Sequence, residues 1–318
     1  MKAVRMHEYG GADVLRFENI EKPVQQPDEV LIRVRVAGLN YSDISRRRGS
    51  YRAANMSFPY IPGLEAAGTV EVVGPQVTQF KTGNRVLAII DGGGYAEFAT
   101  AKESQLFLIP DELDFAESTA LLVQGMTAVG LLREAKAGQS ILVHAAAGGV
   151  GSILVQLAKS KGLMVIGTAS NSEKLHNITT LGADLAINYT ETDWPQQVRR
   201  AVGERGVDII IEMVGGEIVS KNLELLTVNG TMWVYGSASG EDYKLSVLDL
   251  LDKNLIVRGY WLTLEPPSRK AEFAAELMEQ IKKERLQISV TEYPLEKAPE
   301  AHRAIEGRKT MGKVVLTI

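Results

Sequence analysis

The feature that most restricts how this chain folds is the run Ile141-Leu142-Val143-His144-Ala145-Ala146-Ala147-Gly148-Gly149-Val150-Gly151, followed by Ser152-Ile153-Leu154-Val155-Gln156-Leu157-Ala158. An apolar stretch of strand length leads into a glycine turn, and the turn opens a helix. Val150, Ile153, Leu154, Leu157 and Ala158 fall at i, i+3, i+4, i+7 and i+8, so the helix has an apolar face to lay on a sheet. Within the turn the dinucleotide fingerprint G-x-G-x-x-G reads Ala146-x-Gly148-x-x-Gly151. It keeps the glycine that lets backbone approach a diphosphate and the one that lets helix pack on strand; alanine replaces only the first. The helix N-terminus adds unpaired N–H groups and the positive end of its dipole.

The surroundings agree with this reading. From about residue 125 the pattern alternates strand and helix, with strands expected at Ile141 to His144, Met164 to Thr168, Leu185 to Ile187, Val207 to Glu212, Thr231 to Tyr235 and Leu255 to Gly259. Six strands separated by crossover-length segments make one doubly wound parallel sheet. The first third reads differently. Val30, Ile32, Val34 and Val36 alternate with Leu31, Arg33 and Arg35, the period of a strand with one wetter face. Glycines and prolines then punctuate short β-branched runs such as Thr69 to Val73, which suits a small, turn-rich barrel. After Pro266-Pro267 a helix is expected over Ser268 to Glu284, with Phe273, Leu277 and Ile281 at four-residue spacing. Strand signals at Val290 to Tyr293 and Lys313 to Ile318 then return the chain to the first domain. The expectation is an α/β protein in which a dinucleotide domain, 124–263, is inserted into a mostly β domain made of 1–123 and 264–318.

A formal net charge of −4 argues against a general nucleic-acid or anionic-membrane surface, which needs a concentrated basic field. The one basic cluster, Arg46-Arg47-Arg48, fans around a helix if helical, and is expected to be a solvated face. The absence of cysteine removes disulfides and thiolate metal ligands. No apolar run approaches the roughly 20 residues of a membrane span, and the N-terminus lacks a signal-peptide core, so a cytoplasmic protein is expected.

The second strand separates NAD from NADP sites, because an acid at its end usually binds the adenosine ribose hydroxyls. Here it ends Thr168-Ala169-Ser170-Asn171-Ser172-Glu173-Lys174. Small hydroxyl residues, Ser170 among them, and the Lys174 cation suit a phosphate, although Glu173 could compete.

The segments Asn40-Tyr41-Ser42-Asp43, Pro62-Gly63-Leu64-Glu65-Ala66-Ala67-Gly68, Gly94-Tyr95-Ala96-Glu97-Phe98, Gln124-Gly125-Met126-Thr127-Ala128, Leu181-Gly182-Ala183-Asp184 and Gly312-Lys313-Val314-Val315-Leu316, together with the glycine turn, resemble the quinone oxidoreductase and zeta-crystallin branch of the medium-chain dehydrogenase/reductase superfamily. The resemblance spans essentially the whole chain. It implies a GroES-like catalytic domain, a six-stranded Rossmann domain completing the cleft, and a homodimer joined through the Rossmann sheets. Carried over by position, Asn40 and Asp43 lie beside the nicotinamide ribose, Thr127 near the nicotinamide, Gly148, Gly149 and Val150 at the pyrophosphate, and Lys174 with Tyr189 around the 2′-phosphate of NADPH. Tyr235-Gly236-Ser237 and the loop Tyr260-Trp261-Leu262 would approach the nicotinamide.

Hydride transfer is the cofactor's chemistry, so the protein mainly positions the reacting carbons and excludes water. Reduction of an electrophilic small molecule such as a quinone or conjugated carbonyl develops charge on oxygen. Tyr41 and Tyr51 are the candidates to donate a proton there or to gate the acceptor. Zinc-dependent relatives place Cys and His where this chain has Tyr41 and Leu64, so no metal is expected; Glu65 and His144 are expected to be structural. The activity implied is a zinc-independent NADPH-dependent quinone reductase. The resemblance leaves open a 2-enoyl thioester reductase, a zinc alcohol dehydrogenase and a non-catalytic crystallin-like or RNA-binding protein.

Overall fold

The computed structural model describes residues 1–50, 56–283 and 286–318, and the chain divides into two units, Met1–Val123 with Ile288–Ile318, and Gln124–Gln287. The second unit is built on a parallel sheet. Among the described residues its six strands run in the order Leu185–Asn188, Met164–Ala169, Ser140–Val143, Val207–Glu212, Leu226–Val234 and Ile256–Gly259. Numbered along the chain this is 3-2-1-4-5-6, the doubly wound order, with its switch point between Ser140–Val143 and Val207–Glu212. Leu142 stands between Ile166 and Ile210 in register, and all three are buried with Trp194, Val198 and Leu223 from covering helices. Burial on both faces is why the three central strands read as apolar runs without alternation.

The helix Gly149–Ser160 is covered more completely than an amphipathic stripe requires: every residue from Gly151 to Ala158 is buried. Its second face meets the helix Met126–Leu131. That same helix also receives Pro267–Lys282, whose Phe273 and Leu277 are buried. The expected boundary at 264 is therefore corrected to 287/288, because this apolar stripe packs within the dinucleotide unit.

In the first unit, Glu29–Leu39 pairs antiparallel with Lys313–Thr317, Glu65–Val73 and Phe98–Lys102. The sheet extends through Arg85–Ile89 to Leu106–Leu108 on one side and through Val290–Pro294 on the other, seven strands among the described residues. One strand meets three partners by bending, and its register with Glu65–Val73 shifts at Leu31/Ile32 and at Val34/Val36. The wetter face expected of this strand survives only at Arg33 and Arg35; Leu31 and Ala37 are buried, and the helix Phe115–Ala120 packs on the strand.

The arginine cluster also departs from expectation. Tyr41–Arg47 is helical, but Arg47 is buried and pairs at 2.5 Å with Glu306 of the helix Ala298–Glu306. Arg48 reaches the same carboxylate at 2.6 Å, and Arg46 donates to the Asp91 carbonyl at 2.7 Å. A carboxylate distant in sequence thus buries Arg47, while Arg48, which shares it, stays exposed.

Candidate active site

The glycine turn has the shape its sequence requires. Gly148 is the N-cap of the helix Gly149–Ser160, and no side chain caps it, so the first-turn N–H groups remain available to an anion. A Cβ on Gly151 would collide with the Ala145 carbonyl and stand 2.7 Å from Ala146 Cα, closer than side chains approach backbone. One on Gly149 would run into the Gln124 amide. Gly148 meets only the Ala145 carbonyl, at 3.2 Å, so the absence of a side chain there leaves room on the outer side of the turn. The donor set and this cradle fit a diphosphate. Ala145 itself is left-handed, with φ of 50°, a conformation that costs a non-glycine residue about 1–3 kcal/mol.

The second strand ends at Ala169. Asn171 caps the next helix, Ser172–Thr180, by accepting from the Lys174 N–H at 3.0 Å, which fixes the turn that carries Ser170 and Lys174. The Tyr189 N–H donates to the Ala169 carbonyl at 3.1 Å, placing Tyr189 beside the same strand end. Ser170, Lys174 and Tyr189 are half-buried, whereas Glu173 is exposed.

At the fifth strand, the Tyr235 N–H donates to the Glu212 carbonyl at 3.1 Å, and Tyr235 and Gly236 are half-buried. The Gly236 carbonyl accepts from the Tyr243 hydroxyl at 2.6 Å, and the exposed Ser237 turns its hydroxyl back to the Glu241 carbonyl at 2.9 Å. Burial, with help from Glu212, pushes the Tyr235 hydroxyl above its ordinary range. Thr127 is buried within Met126–Leu131. Tyr260 and Leu262 are buried, the former edge-on to Trp233 at 6.2 Å, and Trp261 is exposed.

In the first unit, Asn40 and Asp43 belong to a buried polar cluster. Asn40 and Asp43 form a capping box at the start of Tyr41–Arg47, with the Asn40 N–H donating to Asp43 Oδ2 at 2.9 Å. The Asn40 side chain donates to Glu65 Oε2 at 2.8 Å and accepts from Lys313 Nζ at 3.1 Å. Lys313 Nζ is also bonded to Glu65, and both side chains are fully buried. The second Glu65 oxygen accepts from the Val123 N–H at 2.7 Å. Gly38 makes space for the pair, since a Cβ there would stand 2.9 Å from Lys313 Nζ. Tyr41 is half-buried against the apolar core of this unit. Tyr51 lies outside the described residues. Among the described residues no three His, Asp or Glu side chains are placed to hold a metal.

Residues 26–111 match the alcohol dehydrogenase GroES-like domain, and residues 149–283 match the zinc-binding dehydrogenase family. The quinone oxidoreductase of Mus musculus is 36 % identical over 327 residues, covering 100 % of this chain and 98 % of its own length. The chain belongs to the quinone oxidoreductase branch of the medium-chain dehydrogenase/reductase superfamily. A 2-haloacrylate reductase of a Burkholderia species is 33 % identical over 99 % of this chain and 98 % of that protein. The crystal structure of Escherichia coli quinone oxidoreductase complexed with NADPH superposes with a TM-score of 0.94 at 29 % identity, over 100 % of both chains.

For a chain of this family, the sequence reading missed one candidate residue in each unit. Lys313 neutralises Glu65 and orients Asn40; its signal is a lone cation inside the apolar run Lys313-Val314-Val315-Leu316. Gln124 packs against Gly149, and was visible only as part of the Gln124-Gly125-Met126-Thr127-Ala128 segment.

Burial pushes the Asp43 carboxyl up from 3.8 to about 6, opposed by the Asn40 N–H and reinforced by the charge of Glu65. The folded state thus holds this proton more tightly than the unfolded chain does. Its contribution to stability is full below pH 3.8 and is lost as pH rises through about 6. Urea unfolding between pH 4 and pH 7.5 should show roughly 2–3 kcal/mol of decline from this group. Asp43→Asn should flatten that part of the profile; an unchanged slope would reject the assignment.

Proposed function

We propose that the protein is a zinc-independent, NADPH-dependent reductase that passes hydride to a quinone or another α,β-unsaturated carbonyl. The observation that carries the cofactor choice is the end of the second strand. It has no carboxylate at Ala169-Ser170, while Lys174 and Tyr189 flank the same position. NADPH supplies the hydride when bound. Gly148 leaves room for its diphosphate at the turn, Gly149 and Val150 offer it backbone donors, and Ser170, Lys174 and Tyr189 offer polar groups to its 2′-phosphate. Asn40 and Asp43 serve the nicotinamide ribose, with Asn40 oriented by Glu65 and Lys313. Thr127, Tyr235, Gly236 and Ser237 serve the nicotinamide. The Tyr41 hydroxyl, or that of Tyr51, gives its proton to the acceptor oxygen or gates the acceptor's approach.

The donor set does not suit zinc, which wants three ligands with an open position. Glu65 is committed to Lys313, Asn40 and the Val123 N–H, and Asp43 accepts from the Asn40 N–H. An already polarised enone or quinone needs no Lewis acid to accept hydride, whereas alcohol oxidation benefits from one.

The reading includes a homodimer, and a cytoplasmic location fits the same composition; among the described residues no helix is long and apolar enough to cross a membrane. The terminal strand of the parallel sheet, Ile256–Gly259, offers an edge, and Val247, Leu248 and Leu251 of the helix Val247–Asp252 are 68–70 % exposed. Among the described residues that edge has no further strand partner, and together with the exposed apolar side chains it suits a second copy of the sheet.

NADPH oxidation screened against quinones, enones, 2-haloacrylates and enoyl thioesters tests the main reading; activity confined to enoyl thioesters would replace it with the thioester reductase. Lys174→Ala should raise KM for NADPH about tenfold or more and leave NADH little changed, since a charge-assisted phosphate contact is worth about 1.5–3 kcal/mol. Equal wild-type efficiency with both cofactors would refute the cofactor choice. Protein dialysed against a strong chelator should keep its quinone-dependent activity and contain substoichiometric zinc; restoration of a lost activity by added zinc would overturn metal independence. Analytical ultracentrifugation should find a dimer that Leu248→Glu with Leu251→Glu converts to monomer, and a monomeric wild type would end the dimer proposal.

A further inference from the structure

His144 follows the first strand and enters the glycine turn, and it is held by a buried chain of polar groups. Its Nδ1 lies 3.1 Å from Thr168 Oγ1, and its Nε2 lies 2.8 Å from Asn222 Oδ1. Asn222 Nδ2 donates to Glu212 Oε2 at 2.6 Å, and Glu212 Oε1 accepts from the Val214 N–H and, at 2.9 Å, from the Gly215 N–H. Thr168, His144, Asn222 and Glu212 are all buried. The directions follow from chemistry. A carboxylate only accepts, so Asn222 must turn its NH₂ to Glu212 and its carbonyl to His144. His144 therefore donates from Nε2, and in the neutral imidazole Nδ1 accepts the Thr168 hydroxyl proton.

Such a chain is costly to bury, and an apolar core would fill the same volume without it. Its position suggests what it is for. Thr168 is at the end of the second strand, His144 follows the first, and Glu212 ends the fourth, so the chain joins three strand ends around the switch point. The His144 N–H donates to the Ile211 carbonyl, and the Ala146 N–H donates to the Thr168 carbonyl at 3.0 Å. Between these two fixed residues lies Ala145, the left-handed residue of the turn. The Ala145 carbonyl accepts from the Gly148 N–H at 2.9 Å and is the group against which Gly151 packs. Strained residues persist where their neighbours over-determine them.

We propose that Thr168, His144, Asn222 and Glu212 form a positioning relay that holds Ala145 left-handed, and so sets where the N–H groups of the turn point at a diphosphate. This rests on the reading of the turn as the NADPH diphosphate site. The relay touches no ligand: it acts through the backbone of residues 144–146.

The test compares two probes by titration calorimetry. NADPH needs the turn, whereas adenosine 2′-monophosphate carries the 2′-phosphate without a diphosphate. Thr168→Val and Glu212→Gln should each weaken NADPH at least fivefold and change adenosine 2′-monophosphate less than twofold. Glycine adopts positive φ without penalty, so in an Ala145→Gly background the NADPH loss caused by Thr168→Val should shrink at least threefold. The two single losses should also be less than additive in the double variant, because both act through one imidazole. Wild-type NADPH affinity in both variants would overturn the relay, as would equal weakening of both probes in step with a lowered Tm. A wild type that binds neither probe would overturn the functional reading, and the relay with it.

Discussion

The second unit depends on the contact between Gly151 and the Ala145 carbonyl, where a helix lies so close to the turn feeding it that no side chain fits. That proximity lets a single reversal carry the chain from a buried strand into a buried helix. It also fixes the helix axis relative to the sheet, because Ile153, Leu154 and Leu157 can fill the interior only once the helix is seated. The parallel strand order and the polar relay beneath the turn are arranged around this one approach.

Each unit contains a fully buried glutamate, and the two are accommodated by different means. Glu65 meets an ammonium, a side-chain amide and a backbone N–H. Among the described residues, Glu212 has no lysine or arginine partner and is held by two backbone N–H groups and an asparagine. The first arrangement fastens together distant stretches of one unit and neutralises the charge. The second leaves a negative charge in place at the carboxyl end of the sheet, where it acts on Tyr235. Removing one partner of either set would strand a buried charge, a more damaging change than replacing the whole set with apolar groups.

The sequence disclosed what local periodicity controls. The strand, turn and helix around Gly148 to Gly151 were legible because burial on two faces, a turn and a stripe leave distinct marks over short windows. The three central parallel strands were legible for the same reason. Partners chosen at a distance were not. Phe273 and Leu277 mark a helix with an apolar face, but nothing in their spacing says that Met126–Leu131 receives it, so the domain boundary was misplaced. Arg47 reads as solvated until Glu306 is found beside it, 259 residues away in sequence. Lys313 stands as a lone cation in an apolar run, and Asn222 looks like an ordinary polar residue of a helix. Their burial is decided by Glu65 and Glu212, which local pattern does not connect to them.

The strand Lys313–Thr317 pairs with Glu29–Leu39, and Lys313 reaches Glu65 across 248 residues of chain. During synthesis the dinucleotide unit is thus complete before the β unit can be. Until Lys313 leaves the ribosome, Glu65 has no ammonium and Glu29–Leu39 keeps an edge open along Val36 to Leu39. The nascent chain therefore carries an unfinished sheet, and the strand Lys313–Thr317 both closes that edge and neutralises the buried acid. A chain cut before residue 313 would keep both the open edge and the buried acid without its ammonium.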